Sequence, residues 1–245
     1  MTAGLTEATI WHDLECGSYT ADLALWRGLA DRAGGPVLEV GAGTGRVALD
    51  LARRGHEVIA LDCDASLLEV LAERARDLPV RTLAADARDF RLDGPVRLCI
   101  VPMQTIQLLG GREGRAAFLR CARAQLEAGG VLAAAIAEDL PAFEPRNPGD
   151  LPPPDIREHA GWVYASQPVA VRDRGAATVL ERRREAVAPD GTRHEREDVV
   201  RLDRISAANL EREASLAGLS PLPGVDVPPT RDHVGSRVVM LEAEG

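Results

Sequence analysis

From Asp22 to Ala33 the apolar residues Leu23, Leu25, Trp26 and Leu29 recur at near-helical spacing until Gly34-Gly35 stops them, which predicts an entry helix. The pattern then changes to short apolar runs. Pro36 to Val40 reads as a strand running into Gly41-Ala42-Gly43-Thr44-Gly45, and Arg46 to Arg54 as a helix with Gly55 in the C′ position. The unit repeats: Glu57 to Leu61 is a strand ended by Asp62, and Asp64 caps a helix whose Leu67, Val70, Leu71 and Ala75 face inward. Val80 to Ala85 and Val96 to Val101 are further strands, ending at Asp86 and Pro102. Gly114 to Ala128 reads as a helix closed by Gly129-Gly130, and Val131 to Ile136 as a fifth strand. Largely apolar strands alternating with helices predict a parallel sheet covered on both faces.

After the fifth strand, Leu140 to Pro154 is rich in proline and reads as a loop or lid. Trp162 to Val171, Thr178 to Val187 and Arg193 to Leu202 alternate with period two, which predicts three antiparallel strands with turns at Asp173 to Gly175 and Pro189-Asp190-Gly191. The charged run Glu181 to Glu185 reads as a solvated strand face. Ser206 caps a last helix ending near Gly218, and Arg237 to Leu241 is a final apolar strand. The expected fold is α/β: a doubly wound, Rossmann-like, mostly parallel seven-stranded sheet with an antiparallel strand insertion near the C-terminal part. We read residues 1–245 as one domain. Within it, 1–35 form an N-terminal cap and entry helix, 36–137 a cofactor-binding core, 138–204 a lid and antiparallel insertion, and 205–245 the final helix and strands.

Composition narrows the chemistry. With 245 residues, 45% of them hydrophobic, the chain is long enough for one large α/β core. No apolar run approaches the roughly 20 residues needed to span a bilayer, and Met1 to Trp11 lacks a leader pattern, so a cytoplasmic protein without membrane contact is expected. Cys16, Cys63, Cys99 and Cys121 are widely spaced and form no zinc or disulfide framework. A formal net charge of −9 argues against a nucleic-acid partner. All 29 Lys and Arg residues are arginine, which removes a Walker-type phosphate loop and a pyridoxal Schiff base, since both need an amine.

The glycine loop lets the backbone approach a ligand closely and points the following N–H groups at it. Gly41, Gly43 and Gly45 make G-x-G-x-G, not the G-x-G-x-x-G of dinucleotide sites, and Glu39 stands two residues before the loop, a pattern favouring another nucleoside. Asp62, 21 residues after Gly41, ends the second strand where a carboxylate can accept both ribose hydroxyls. Asp86 ends the third strand in the same crevice, as an acceptor for an exocyclic adenine amine or as an ordinary turn aspartate.

With these features the chain resembles the class I S-adenosylmethionine-dependent methyltransferases, especially bacterial ones acting on small molecules. Residues Val37 to Arg46 resemble the family's first motif, Ile59-Ala60-Leu61-Asp62 its ribose-binding strand end, Ala84-Ala85-Asp86-Ala87 the adenine-side motif, and Leu126 to Val131 the turn into the fifth strand. The resemblance implies S-adenosylmethionine as cofactor, with S-adenosylhomocysteine as product and no metal. It implies Glu39, Gly41, Ala42 and Gly43 around the methionine moiety, Asp62 on the ribose, and Cys63, Asp86 and Ala87 by the adenine. Tyr19 resembles a tyrosine that closes over the cofactor carboxylate, with aromatic packing as its other reading. Val101-Pro102-Met103-Gln104-Thr105 departs from the Asp- or Asn-Pro-Pro-aromatic signature of base and amide N-methyltransferases, but Pro102, Met103 and Gln104 should still flank the sulfonium.

In-line methyl transfer asks the protein mainly to align donor and acceptor and to exclude water. A hydroxyl acceptor would be helped by a base with a pKa near about 7. His12, His233, Glu138 and Asp139 are the candidates, and His233 and Glu138 are retained as catalytic. A divalent-metal reading of Glu138-Asp139 lacks further acidic ligands. The partner expected is a small-molecule acceptor of O or N type, with the protein a monomer or homodimer. The segment Trp162 to Leu202 would form an acceptor wall or a dimer surface. A cofactor-binding protein without methyl transfer and a nicotinamide-dependent oxidoreductase are the alternatives.

Overall fold

The structure is a computed structural model that describes residues 6–230 and 233–245. Its helices are α1 (Glu7–Cys16), α2 (Leu23–Ala33), α3 (Ala48–Ala52), α4 (Ala65–Arg74), α5 (Gly111–Gln125) and α6 (Ala207–Ser215). Its strands are β1 (Val37–Val40), β2 (Val58–Asp62), β3 (Val80–Ala84), β4 (Val96–Val101), β5 (Leu126–Ile136), β6 (Asp155–His159), β7 (Trp162–Asp173), β8 (Ala177–Val187), β9 (Arg193–Asp203), β10 (Leu219–Val227) and β11 (Ser236–Ala243). The described residues fall into two compact units, one comprising 19–138, 205–230 and 233–245, the other 6–18 and 139–204.

The first unit is built on a seven-stranded sheet of order β10-β11-β5-β4-β1-β2-β3. The strands from β5 to β3 are parallel, while β11 joins β5, and β10 joins β11, antiparallel. The doubly wound, mostly parallel expectation is met. Alternation along the central strands feeds two cores. Val37, Leu98, Ile100 and Ala133 pack with Trp26, Leu51 and Leu71 of α2, α3 and α4, and Leu38, Cys99, Val101 and Leu132 pack with Phe118, Leu119 and Leu210 of α5 and α6. Since β1 has β2 on one side and β4 on the other, the strand order reverses at its C-terminal end, which is where open α/β sheets bind ligands.

Local caps behave as their side chains dictate. Asp64 accepts from the Ser66 N–H at 2.9 Å to start α4, and Ser206 accepts from the Asn209 N–H at 3.3 Å to start α6. Two sequence expectations need correction. Helix α5 begins at Gly111 and ends at Gln125, so Gly129-Gly130 does not close it but lies within β5, where the pairing with β4 shifts register between Val96 and Leu98. Gly129, at φ +74°, supplies the left-handed residue that this irregularity uses. Strand β10 was hidden by Pro221, Pro223 and Gly224, which an edge strand tolerates because one row of its N–H groups needs no partner.

The second unit is a four-stranded antiparallel sheet of order β6-β7-β8-β9 together with α1. It is a separate sheet with one strand more than the period-two pattern predicts, because β6 (Asp155-Ile156-Arg157-Glu158-His159) has no apolar alternation. Helix α1, capped by Thr6, was not visible in the pattern either. Its Ile10, Trp11 and Leu14 pack against Tyr164 and Ala186 as a small third core. Residues 140–154 hold only a 3₁₀ turn at Pro148–Asp150 and a single bridge, Phe143 to Val171. Among the described residues no helix is long and apolar enough to cross a membrane.

Candidate cofactor site

The site is assembled at the C-terminal ends of β1, β2 and β4. As the chain leaves β1, the N–H groups of Gly41 and Ala42 both donate to the Leu61 carbonyl, at 2.8 and 3.0 Å, folding the loop back over β2. Gly41 and Gly43 adopt φ of +75° and +52°. A Cβ on Gly41 would lie 2.5 Å from Thr105 Cγ2, so this glycine meets both a conformational and a steric demand. Asp62 ties the neighbouring loops together: its Oδ2 accepts from the Gly43 N–H at 2.8 Å and its Oδ1 from the Asp64 N–H at 2.9 Å. Each carboxylate oxygen has a second lone pair, so Asp62 keeps acceptor capacity.

Glu39, in the middle of an otherwise apolar strand, is only 2% exposed, and its Oε2 has no hydrogen-bond partner. Burial pushes its carboxyl up to about 8, against the opposing pull of Arg46 and the Ala48 N–H. Arg46 also serves other groups: its guanidinium grips Asp22 at 2.6 and 2.8 Å and donates to the Tyr19 carbonyl at 2.9 Å. Asp22, 1% exposed, accepts from the Trp26 indole N–H at 2.8 Å as well. Tyr19 is buried, which raises its phenol above the ordinary range with Ser236 opposing. The Arg46 guanidinium stands 5.1 Å from the Tyr19 ring centroid, and the His233 ring packs against the same tyrosine at 4.8 Å. Sequence reasoning passed over Asp22 and Thr105 and quoted Arg46 only as part of a motif. No local signal marks them, since the contacts of Asp22 with Arg46 and of Thr105 with Gly41 join positions far apart in the chain.

The remaining expected residues are placed as follows. Cys63 is an exposed free thiol after β2, with burial and then the Asp62 charge raising its pKa. Asp86 is exposed in the turn after β3, where Arg88 holds it by its backbone N–H at 2.8 Å and by guanidinium contacts of 2.5 to 3.1 Å. The Arg88 side chain is the first cause that lowers Asp86 to about 2. The Ala87 side chain belongs to the second core, so only its backbone is left for a ligand. Pro102 is buried at the end of β4, followed by Met103 at φ +54°, a conformation unusual for a side chain of its size. Glu138 accepts from the Ala207 N–H at 2.5 Å and so caps α6. His12 and Asp139 belong to the second unit. Among the described residues no group of three or more His, Cys, Asp or Glu is arranged to hold a metal.

This geometry agrees with what the chain is similar to. Residues 37–130 match a family described as a methyltransferase domain. The match covers less than half of the chain, from β1 into β5. A curated relative, the cypemycin N-terminal methyltransferase of a Streptomyces species, is 32% identical over 97 residues, a match spanning 40% of each chain. The fold extends further than that. The sugar N-methyltransferase KedS8 from a Streptoalloteichus species has a TM-score of 0.75 at 17% identity, covering 100% of this chain and 96% of its own. The amino pentose methyltransferase CalS10 from Micromonospora echinaspora, solved with S-adenosylmethionine bound, has a TM-score of 0.69 at 20% identity, covering 98% of both chains. The fold shared with these two structures therefore extends along the length of the chain.

Proposed function

We propose that this chain is a methyltransferase that uses S-adenosylmethionine and transfers the methyl group to a nitrogen or oxygen of a small molecule. The observation that carries the reading is the buried carboxyl of Glu39, whose Oε2 has no hydrogen-bond partner, at the foot of a glycine loop whose Gly43 amide is clamped by Asp62. A buried acid with one oxygen left unpaired is costly unless a ligand completes it, and the ammonium of a methionine moiety is a suitable complement. Gly41, Ala42 and Gly43 would offer backbone to that moiety, Asp62 its remaining lone pairs to the ribose, and Cys63 and the Ala87 backbone the adenine side. Asp86 would meet the adenine amine while sharing its carboxylate with Arg88. Pro102 would border the sulfonium.

Bound there, the cofactor supplies a methyl group already activated on a positively charged sulfur. The chain's contribution is alignment and exclusion of water. His233, its ring held against Tyr19, would take the proton released by a hydroxyl or ammonium acceptor. Glu138 has a helix to cap and serves this role less well. The relatives named above as sugar N-, amino pentose and N-terminal methyltransferases favour a nitrogen acceptor. Titration calorimetry with S-adenosylmethionine and S-adenosylhomocysteine tests the reading. Both should bind the wild type and lose at least about 100-fold, about 2.7 kcal/mol, in Asp62→Ala; absence of binding to either nucleoside by the wild type would sink it.

A further inference from the structure

The surroundings of Glu39 suit a neutral group better than a charged one. Its cross-strand neighbours are Ala60 of β2 and Ile100 of β4, both fully buried, and Glu39 itself is 2% exposed. The Ala48 N–H at the start of α3 donates to the carboxyl, and since Oε2 has no hydrogen-bond partner, that bond falls on Oε1. An ionised carboxylate would leave the whole of Oε2 bare in an apolar interior. The charged groups that face it are Arg46 after the glycine loop, Asp22 before α2 and Asp62 at the end of β2. Three acids thus share one guanidinium, which Asp22 grips with both oxygens. Ionising all three leaves a surplus of negative charge that a neutral Glu39 reduces. We propose, resting on the methyl-transfer reading above, that Glu39 is a neutral acid in the free protein and releases its proton to solvent as it takes the cofactor's ammonium, so that cofactor binding is proton-linked.

The hydrogen-bonding capacity of the two groups decides where the proton goes. An ammonium has three N–H donors and no acceptor, so it needs an oxygen with free lone pairs opposite it. With Oε1 taken by Ala48, the proton of the neutral acid belongs on Oε2, where it would be a donor facing donors. Glu39 therefore breaks its O–H bond and passes the proton to the buffer, while the ammonium keeps all of its own. Burial is the main cause that raises the carboxyl to about 8 in the free protein, against Arg46 and the Ala48 N–H, and a second positive charge alongside reverses that balance. The sign of the pH dependence follows. Because one proton leaves on binding, cofactor affinity rises by up to about tenfold per pH unit below the free-protein value and stops rising above it. Acidification fills Glu39 and weakens the site within the neutral range.

The test counts protons on the full chain. S-adenosylmethionine and S-adenosylhomocysteine are titrated calorimetrically at pH 7 in phosphate and in Tris, whose different ionisation enthalpies turn released protons into a difference in heat. Methylthioadenosine, which has the same nucleoside but no ammonium, is the control on the wild type, and Glu39→Gln is the control within the protein. The expected result is release of about one proton with either cofactor form, and about none with methylthioadenosine or in Glu39→Gln. Wild-type affinity for S-adenosylhomocysteine should also rise about tenfold from pH 6 to pH 7, while that of Glu39→Gln stays flat. The inference is overturned by equal heats in the two buffers for the wild type, by equal release with methylthioadenosine, or by release that Glu39→Gln leaves intact. Each of those outcomes is read from a protein that binds the cofactor, so the methyl-transfer reading would stand. Failure of the wild type to bind any of the three nucleosides would remove both.

Discussion

Two glutamates, one in each unit, have opposite fates. Glu15 on α1 is surrounded by donors: the Ser166 hydroxyl at 2.7 Å and the Arg184 guanidinium at 2.7 and 2.6 Å, with Arg182 nearby. Burial works against its ionisation, yet the hydrogen bonds from Arg184 and Ser166 carry its carboxyl below the ordinary range. Glu39 on β1 is more deeply buried and has an arginine in its field, but that arginine is held by Asp22, and the carboxyl rises to about 8. The contrast separates two uses of a buried acid. A carboxylate whose lone pairs are filled by the fold is part of the scaffold, whereas one with an oxygen unfilled beside a glycine loop has capacity for a ligand, the role proposed for Glu39.

The largest effect should come from removing the residue that keeps Arg46 away from Glu39. Asp22→Ala leaves a buried guanidinium without its carboxylate and should cost about 3 to 5 kcal/mol in urea unfolding. It should also lower the Glu39 pKa, because the Arg46 charge is no longer shared. Next, Glu15→Ala strips Arg184 and Ser166 of a charged acceptor and should cost about 1.5 to 3 kcal/mol at neutral pH. Since the folded-state value of Glu15 is depressed, its stabilisation is present above the usual glutamate range and disappears on acidification. Wild type and variant should therefore converge at low pH, and curves that stay apart would contradict the pairing.

Glu39 should show the reverse sign. Between its ordinary value of 4.5 and about 8 the unfolded chain gives up a proton that the folded chain keeps, so stability falls as pH rises through that window and levels off above it. Glu39→Gln should erase this slope, which is at most about 1.4 kcal/mol per pH unit, while weakening S-adenosylmethionine binding; parallel thermal-unfolding curves from pH 5 to 8 would refute it. The smallest effect is expected at the exposed ion pair of Arg193 with Glu185, where Arg193→Ala should leave the unfolding midpoint unchanged within measurement.

The two units also differ in how openly the chain announces them. The parallel strands read directly, because a strand buried on both faces must be apolar throughout, as β1 and β4 are. The second unit's sheet interior contains Arg182, Arg184 and Ser166, which resemble a solvated face until their partners from α1 and β6 are in place. Strand β6 and helix α1 were missed for the same reason, since they complete contacts that no local window contains. Within the site, Glu39, Gly41, Gly43 and Asp62 stand where the motif spacing puts them, at the ends of β1 and β2. The Arg88 grip on Asp86 was in principle readable, two residues apart in a turn, but no pattern distinguished it from an open strand end.

Reading the chain alone settles whatever depends on a few neighbouring residues. The glycine spacing, the aspartate closing β2, the caps at Asp64 and Ser206 and the apolar core strands are of this kind, because backbone torsion and local hydrogen bonding are set within one turn or one strand. Other properties exist only once distant segments meet. Arg46 reaches Asp22 across 24 positions, Glu39 is left with one oxygen unpaired, and Glu138 finds the start of α6 across 69. Tyr164, Ala186 and His194 become neighbours only through strand register. Partner choice for a buried charge is a competition among all groups within a few ångströms, and that set is defined by folding, not by order along the chain.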